Sequence, residues 1–279
     1  YVSGDVGDDL TWGRDEEVVY VTGDNAVPEG QGVTIYPGTL ILVTANENDN
    51  GQTHGHKDDV TPFTETGEYW KTHVGIHLGS SAHILGDGNY PIIFTSDAEG
   101  PHFFDWRGIG LKTGVLYKHC IIEYASWSTM IVDGPGRGLF LDLISRNSYA
   151  GQLHTDANPK NHPIKSSYVC CFCENAGAET LSMNSATPSL AVANVSLNSG
   201  CGPAIAGKAA VYFGLNSANA VENIAVSYPD CDPPAIAVHY TNTYRDLSLD
   251  HIRRIARNEK MGDGARDPGV ILESHKGTH

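Results

Sequence analysis

The feature that most constrains this chain is a recurrence. Short runs of alternating apolar and polar residues are broken, at similar intervals, by small steps rich in Gly, Asn, Asp or Pro. Such runs occupy 33–43, 74–78, 92–95, 108–111, 120–124, 139–144, 167–173, 190–197, 209–213, 223–227, 235–240 and 247–252. Period-two alternation is the mark of a strand with one buried face. Three breaks share a small polar step: Ser145-Arg146-Asn147-Ser148, Glu174-Asn175-Ala176-Gly177 and Asn198-Ser199-Gly200. The clearest repeat sets Cys201-Gly202-Pro203-Ala204-Ile205-Ala206 against Cys231-Asp232-Pro233-Pro234-Ala235-Ile236-Ala237, thirty positions on. Helical periodicity is sparse, and its best segment, 250–258, is short. A repeat of roughly 20–30 residues made of strands alone cannot bury its own apolar face, so copies must stack. That points to a β-solenoid.

Stacking makes definite predictions for side chains, because successive residues of a strand point to opposite faces. Val195 and Leu197 are predicted inward, as are Ile224 and Val226. Over 169–173, Val169, Cys171 and Cys173 are predicted inward and Cys170 and Phe172 outward. Cys120 reads as a further interior residue, where a thiol behaves as a small hydrophobe. Outward Asn and Ser are expected to form ladders between coils.

Charge narrows the function classes. The 279 residues carry 18 Lys and Arg against 33 Asp and Glu, a formal charge of −15. Nucleic-acid binders depend on basic side chains that neutralise phosphate, so this balance argues against them. It equally disfavours adhesion to anionic lipid. Charged residues are only 18% of the chain, so the surface must be finished with Ser, Thr, Asn and Gly. The longest apolar runs are strand-sized, well short of a membrane-spanning helix. Six cysteines, an even number, fit disulfides in a secreted or cell-surface protein. An N-terminus at Tyr1 rather than Met fits removal of a signal segment. Asn194-Val195-Ser196 forms one glycosylation sequon.

Two stretches carry more than periodicity. One is Val27-Pro28-Glu29-Gly30 followed by Val33-Thr34-Ile35-Tyr36-Pro37-Gly38-Thr39-Leu40-Ile41. The other is Pro91-Ile92-Ile93-Phe94-Thr95-Ser96 followed by Asp105-Trp106-Arg107-Gly108-Ile109. Together they resemble the opening coils of secreted right-handed parallel β-helix proteins, the pectin-lyase-like superfamily in its broad sense. The resemblance covers about residues 18–126. Gln31-Gly32 lengthens the first turn, and Arg107 stands where a small residue is common. The resemblance implies the fold. It leaves activity open, since the superfamily includes polysaccharide lyases and hydrolases, adhesins, surface proteins and structural stalks. Within the motif, Pro37-Gly38 suits a sharp corner between strands. Trp106 is predicted to wedge or cap an end of the interior, and Gly108 to allow close approach at a bend.

Candidate sites follow from residue chemistry. Cys201 and Cys231 open equivalent turns, and stacking would bring their Cα atoms to about 5 Å, within the disulfide range. The pairing of Cys120, Cys170, Cys171 and Cys173 stays open; alternation keeps the last three from converging on a metal. His54, His56, His73 and His77 are the candidate ligands for a divalent ion. On a strand, His73 and His77 share a face opposite Val74, Ile76 and Leu78, which makes the histidine face solvent-directed. Asn46-Glu47-Asn48-Asp49-Asn50-Gly51 is oxygen-rich, but the twelfth position of a calcium loop of that kind falls on Lys57 rather than Glu. Calcium is the one ion for which the chain offers such a run, and no other cofactor is expected. An enzyme of this class needs convergent acids or an acid–Arg pair. The candidates are Asp142 and Arg146 with His154 and Asp156, and Asp105 with Arg107. The local signatures of pectate lyase or polygalacturonase sites are missing. Tyr69, Trp70, Tyr117, Tyr124 and Trp127 are candidates for stacking on sugar rings.

The sequence thus predicts an all-β chain: one right-handed parallel β-helix of about eight or nine coils. An N-terminal cap would occupy 1–17, the β-helix 18–279, and a long loop about 45–72. Polar–apolar mixtures at 1–11 and 270–279 can pair as strands. The first functional expectation is a non-catalytic extracellular structural or adhesive protein, self-associating through its ends into a head-to-tail surface filament. A polysaccharide lyase or glycoside hydrolase, and a carbohydrate-binding module without chemistry, are the alternatives.

Overall fold

The computed structural model describes residues 1–6, 10–13, 18–28, 30–45, 73–79, 81–102, 105–111, 115–131, 137–148, 153–156, 165–176, 181–184, 190–192, 194–199, 211–214, 219–221, 224–227, 236–239 and 270–273. Outside them lie the segment 46–72 with His54, His56, Tyr69, Trp70 and the oxygen-rich run, the segment 250–258, and Cys201 and Cys231. The side chains of Trp127, His154, Asp156, Val195, Leu197, Ile224 and Val226 are outside as well.

Strands follow one another along the whole described chain. They are β1 (Val2–Asp5), β2 (Thr11–Trp12), β3 (Val18–Ala26), β4 (Thr34–Ile35), β5 (Leu40–Val43), β6 (Gly75–His77), β7 (His83–Leu85), β8 (Ile92–Ser96) and β9 (Trp106–Leu111). Next come β10 (Val115–Lys118), β11 (Cys120–Glu123), β12 (Ala125–Ile131), β13 (Arg137–Leu141), β14 (Ile144–Ser148), β15 (Leu153–Asp156), β16 (Lys165–Val169) and β17 (Phe172–Ala176). The series ends with β18 (Leu181–Asn184), β19 (Leu190–Val192), β20 (Val195–Ser199), β21 (Val211–Gly214), β22 (Asn219–Val221), β23 (Ile224–Ser227), β24 (Ile236–His239) and β25 (Val270–Glu273). The described residues contain no helix.

These strands form three sheets, and every pairing between named strands is parallel. The first sheet runs β1-β3-β5-β8-β11-β14-β17-β20-β23. The second runs β2-β4-β7-β10-β13-β16-β19-β22, and the third β6-β9-β12-β15-β18-β21-β24-β25. From β6 to β21 each strand pairs with the one three places further on. A solenoid is compatible with this arrangement. The predicted terminal strands are present: β1 pairs with β3 and β25 with β24.

Register puts like beside like in the interior. In the second sheet Trp12, Ile35, Ile84, Tyr117, Phe140 and Tyr168 form one buried column. Its last three rings stack, with centroids 5.2 and 4.6 Å apart. Burying such a ring contributes about 1.5–3 kcal/mol over leaving it in water, and offset stacking adds to that. In the first sheet Ile41, Phe94, Ile122, Ser145 and Cys173 are buried in one column. Cys120 and Cys171 are buried too, while Cys170 is exposed, as alternation predicts. Trp106 departs from expectation. It is buried within β9, beside Ala125 of β12, and its indole N–H donates to the Glu123 carbonyl at 2.9 Å. It fills the interior between layers instead of capping an end.

The corners are built from special backbone. His119, Asp142 and Cys170 have φ of 48°, 50° and 55°. Each is the first residue after a second-sheet strand on the way to the first sheet, on three successive layers. At the opposite end of the first sheet Tyr124, Asn147 and Asn175 have φ of 61°, 54° and 54°. Asn tolerates the left-handed region better than most residues, and the Asn175 amide donates to Asn147 Oδ1 at 3.1 Å. That contact is one rung of the predicted ladder. One layer before His119 the corner holds Gly86, where a Cβ would lie 2.3 Å from the His119 carbonyl oxygen. Only glycine fits there. The Pro37-Gly38 corner lies between β4 and β5 as expected, closed by Thr39 Oγ1 donating to the Tyr36 carbonyl at 2.7 Å.

Candidate functional site

Three groupings of polar side chains in the described chain bear on the candidate sites, each positioned by the strand register. The first is the outer face of the first sheet. Arg146 of β14 lies beside Glu123 of β11 and Glu174 of β17. Its Nε donates to Glu123 Oε1. Arg146 is half exposed and Glu123 more enclosed, at 46% and 12% of their side-chain surfaces. Alternating charge on successive strands is a stabilising cross-strand arrangement.

The second place is the corner between the second and first sheets. His119 Nδ1 lies 3.6 Å from Asp142 Oδ2. Asp142 and Arg146, grouped by the sequence as an acid–Arg pair, thus each contact a different side chain, His119 and Glu123. His154 and Asp156 belong to β15 in the third sheet, where their register neighbours are Met130, Ser182 and Asn184. The four residues thus divide among a corner and two sheets.

The third place covers the free side of β6, the end strand of the third sheet. β3 is nine residues long and continues past its pairing with β5. Asp24 and Asn25 at its far end are fully buried. Asp24 Oδ1 accepts from the Gly75 N–H at 2.5 Å. Asn25 Oδ1 accepts from the His77 N–H at 2.9 Å, and its Nδ2 donates to the His77 carbonyl at 2.6 Å. One primary amide does for β6 what a neighbouring strand would do. A side chain at Gly75 would meet both Arg107 Cδ and Asp24 Oδ1, at 3.2 and 3.3 Å. His73 is only 2% exposed. The solvent-directed histidine face is therefore corrected: Val74, Ile76 and Leu78 are buried as expected, but polar side chains cover the other side as well. Nearby, buried Asp105 accepts at Oδ2 from Ser96 Oγ at 2.6 Å and from the His102 N–H at 3.0 Å. Those bonds fix a loop.

The remaining candidates are placed as follows. Tyr117 is buried in the ring stack, which removes it from the sugar-stacking set. Tyr124 is half-buried at a corner, and Trp127 lies on β12 opposite Gly108. Among the described residues, the exposed aromatic side chains are Tyr1, Tyr20, Tyr36 and Tyr90, none of which the sequence had singled out. Burial pushes the Cys120 and Cys171 thiols up to about 12 and the Cys173 thiol well above its usual value. These sulfurs stay protonated at neutral pH, so they are poor nucleophiles and poor metal ligands. Among the described residues, no three His, Cys, Asp or Glu side chains are grouped to hold a metal ion. The sequon Asn194 is buried: its Oδ1 accepts from the Cys171 N–H at 2.9 Å and its Nδ2 donates to the Tyr168 carbonyl at 3.0 Å. A glycan on that nitrogen is incompatible with this fold.

Sequence reasoning missed Asp24, Asn25, Glu123 and His119, which nothing local marks, and saw in Asn194 only a sequon. Their roles appear only when strands distant in sequence are placed side by side. No family model matches the chain, and no curated protein or solved structure matches it at a significant level.

Proposed function

We propose that the chain is one right-handed parallel β-helix of about eight or nine coils, acting as a non-catalytic structural or adhesive scaffold outside the cell. The observation that carries this reading is that every named strand from β1 to β25 pairs in parallel within one of three sheets, with buried columns running through the layers described as far as β17. Nine strands in the first sheet suit the coil number, and parallel crossovers are right-handed in nearly all sheets. The chemistry of the polar groups favours a scaffold as well. Glu123 and Arg146 hold each other, Asp105 holds a loop, and Asp24 and Asn25 hold a strand edge. Each of these contacts supports architecture.

End-to-end assembly belongs to the same reading. Sheets of this kind finish in strand edges that can pair with another chain, and β1 and β25 stand at the two extremes of the sequence as end strands of their sheets. Negative-stain electron microscopy of the full chain tests it, alongside a screen of acidic and neutral polysaccharides for cleavage. Filaments without released oligosaccharide are expected. Turnover of any polysaccharide would replace the scaffold with a lyase or hydrolase, and glycan binding without product would replace it with a binding module.

A further inference from the structure

We propose that the chain carries its own stopper at one end of the third sheet. The end of β3 and the segment leading into β4 shut the free side of β6 against strand addition by another chain. β6 is the last strand of its sheet. A last strand leaves alternate N–H and C=O groups turned away from its neighbour, where a second chain can pair with them. The Val74 carbonyl faces β9, since it accepts from the Arg107 N–H at 2.8 Å. The backbone groups of Gly75 and His77 therefore turn the other way. Asp24 Oδ1 takes the Gly75 N–H, and the Asn25 amide takes both the N–H and the carbonyl of His77. The cover continues beyond the strand: the Val33 N–H donates to the Leu78 carbonyl at 2.9 Å, and Gly32 forms an antiparallel bridge with Gly79.

Two observations mark this closure as specific. Asp24 and Asn25 are fully buried, which polar side chains tolerate only where their hydrogen bonds are made. The two covering segments also touch at glycines. A Cβ on Gly79 would lie 2.2 Å from the Gln31 carbonyl oxygen, and one on Gly32 would lie 2.3 Å from the Ser81 carbonyl carbon. Any side chain at either position would lift the cover off the edge. Strand addition draws its affinity from main-chain hydrogen bonds, and here those bonds are already spent within the chain. An incoming strand would also have to turn out a buried carboxylate and a buried amide, with nothing to repay their bonds. One consequence rests on the end-to-end reading above, whereas the closure itself does not. A stack growing at this end must pass through the first sheet, where β1 is the end strand, because the second offers only the two residues of β2.

Light scattering of the full chain against a double variant, Asp24→Ala with Asn25→Ala, from micromolar to hundreds of micromolar, tests this. Asn194→Ala is the control: it loses buried hydrogen bonds in a different layer and leaves the edge of β6 covered. The double variant should self-associate at a concentration at least about 10-fold below that of the wild type or the control, since three backbone groups are released for pairing. Hydrogen exchange then locates the contact. The Gly75 and His77 amides should exchange fast in the dilute double variant and slowly once it associates. Association no stronger than in Asn194→Ala overturns the proposal, as does association that leaves those two amides fast. Circular dichroism checks the sheet content; if the double variant does not fold, Asn25→Ala alone, read at His77, decides by the same criteria. The scaffold reading is judged apart from this. A wild type that forms no filaments removes end-to-end assembly and leaves the stopper in place. Wild-type filaments beside a double variant that behaves like the control do the reverse.

Discussion

Asn194 does the work of a backbone segment with a side chain. It stands one residue before β20, on the inward column that holds Cys171 one layer earlier, and its amide serves both a main-chain N–H and a main-chain carbonyl. Replacing it with alanine strands both groups away from water, at about 1–3 kcal/mol for each unsatisfied group. Urea denaturation of Asn194→Ala should show a loss of about 2–4 kcal/mol, whereas a loss below the error of the measurement would show that the two bonds carry no net stability. The buried thiols make a second prediction at this scale. Burial disfavours the thiolate and pushes the Cys120 and Cys171 thiols up to about 12 in the fold, against 9.0 for the free group. An acid whose folded pKa is raised keeps its proton in the fold after the unfolded chain has lost it. Its stabilising contribution is complete below pH 9 and disappears as pH climbs toward 12. Urea midpoints should therefore fall from pH 9 upward. Replacing Cys120 and Cys171 together by alanine should flatten that fall, at the expense of overall stability. An unchanged slope in the double variant would assign the alkaline loss to other groups.

At the scale of elements, the edge of β6 is the least ordinary part of the fold. Its Gly75 and His77 backbone groups bond to side chains of β3 instead of to a strand. Changing Asn25→Ala should free both backbone groups of His77, with a loss of about 1–3 kcal/mol. Hydrogen exchange would report it as faster exchange at the His77 amide with β8 and β11 unchanged; slow exchange at His77 in the variant would contradict the edge assignment. This edge also shows where sequence reading stopped. Alternation identified which residues of 74–78 turn inward, and the interior positions of Cys120, Cys171 and Cys173 follow from it; Val169, predicted inward with them, is half-buried while its neighbour Tyr168 fills the interior, because the corner at Cys170 breaks the alternation between the two sheets. The corner at Pro37-Gly38 was legible from turn chemistry. Alternation does not say what covers the other face, so His73 read as exposed when Asp24, Asn25 and Arg107 crowd that side. It is equally blind to register. Asn194 read as a sequon and Tyr117 as a surface ring. Both readings failed once strands twenty to thirty residues apart were set side by side.

For the whole molecule, the decisive quantity is charge against stacking. Paired parallel strands about 4.8 Å apart bring register-equivalent positions of neighbouring strands within one Debye length of each other at physiological salt. A local remedy is visible where Arg146 lies between Glu123 and Glu174. It cannot cancel an excess of fifteen negative charges over the chain. That excess opposes compaction more than it opposes the unfolded state, because the unfolded chain spreads the same charges further apart. Sodium chloride should therefore stabilise the fold. Between a few millimolar salt and physiological strength the thermal midpoint should rise by about 2–4 °C, the shift that roughly 1 kcal/mol produces in a chain of this size. Measuring at two protein concentrations separates this intramolecular effect from association, since a monomer's midpoint does not depend on concentration. A midpoint that stays flat or falls with salt at both concentrations would mean that opposite-charge contacts such as Glu123–Arg146 outweigh the net repulsion. The stack would then be held together by its charges in spite of their imbalance.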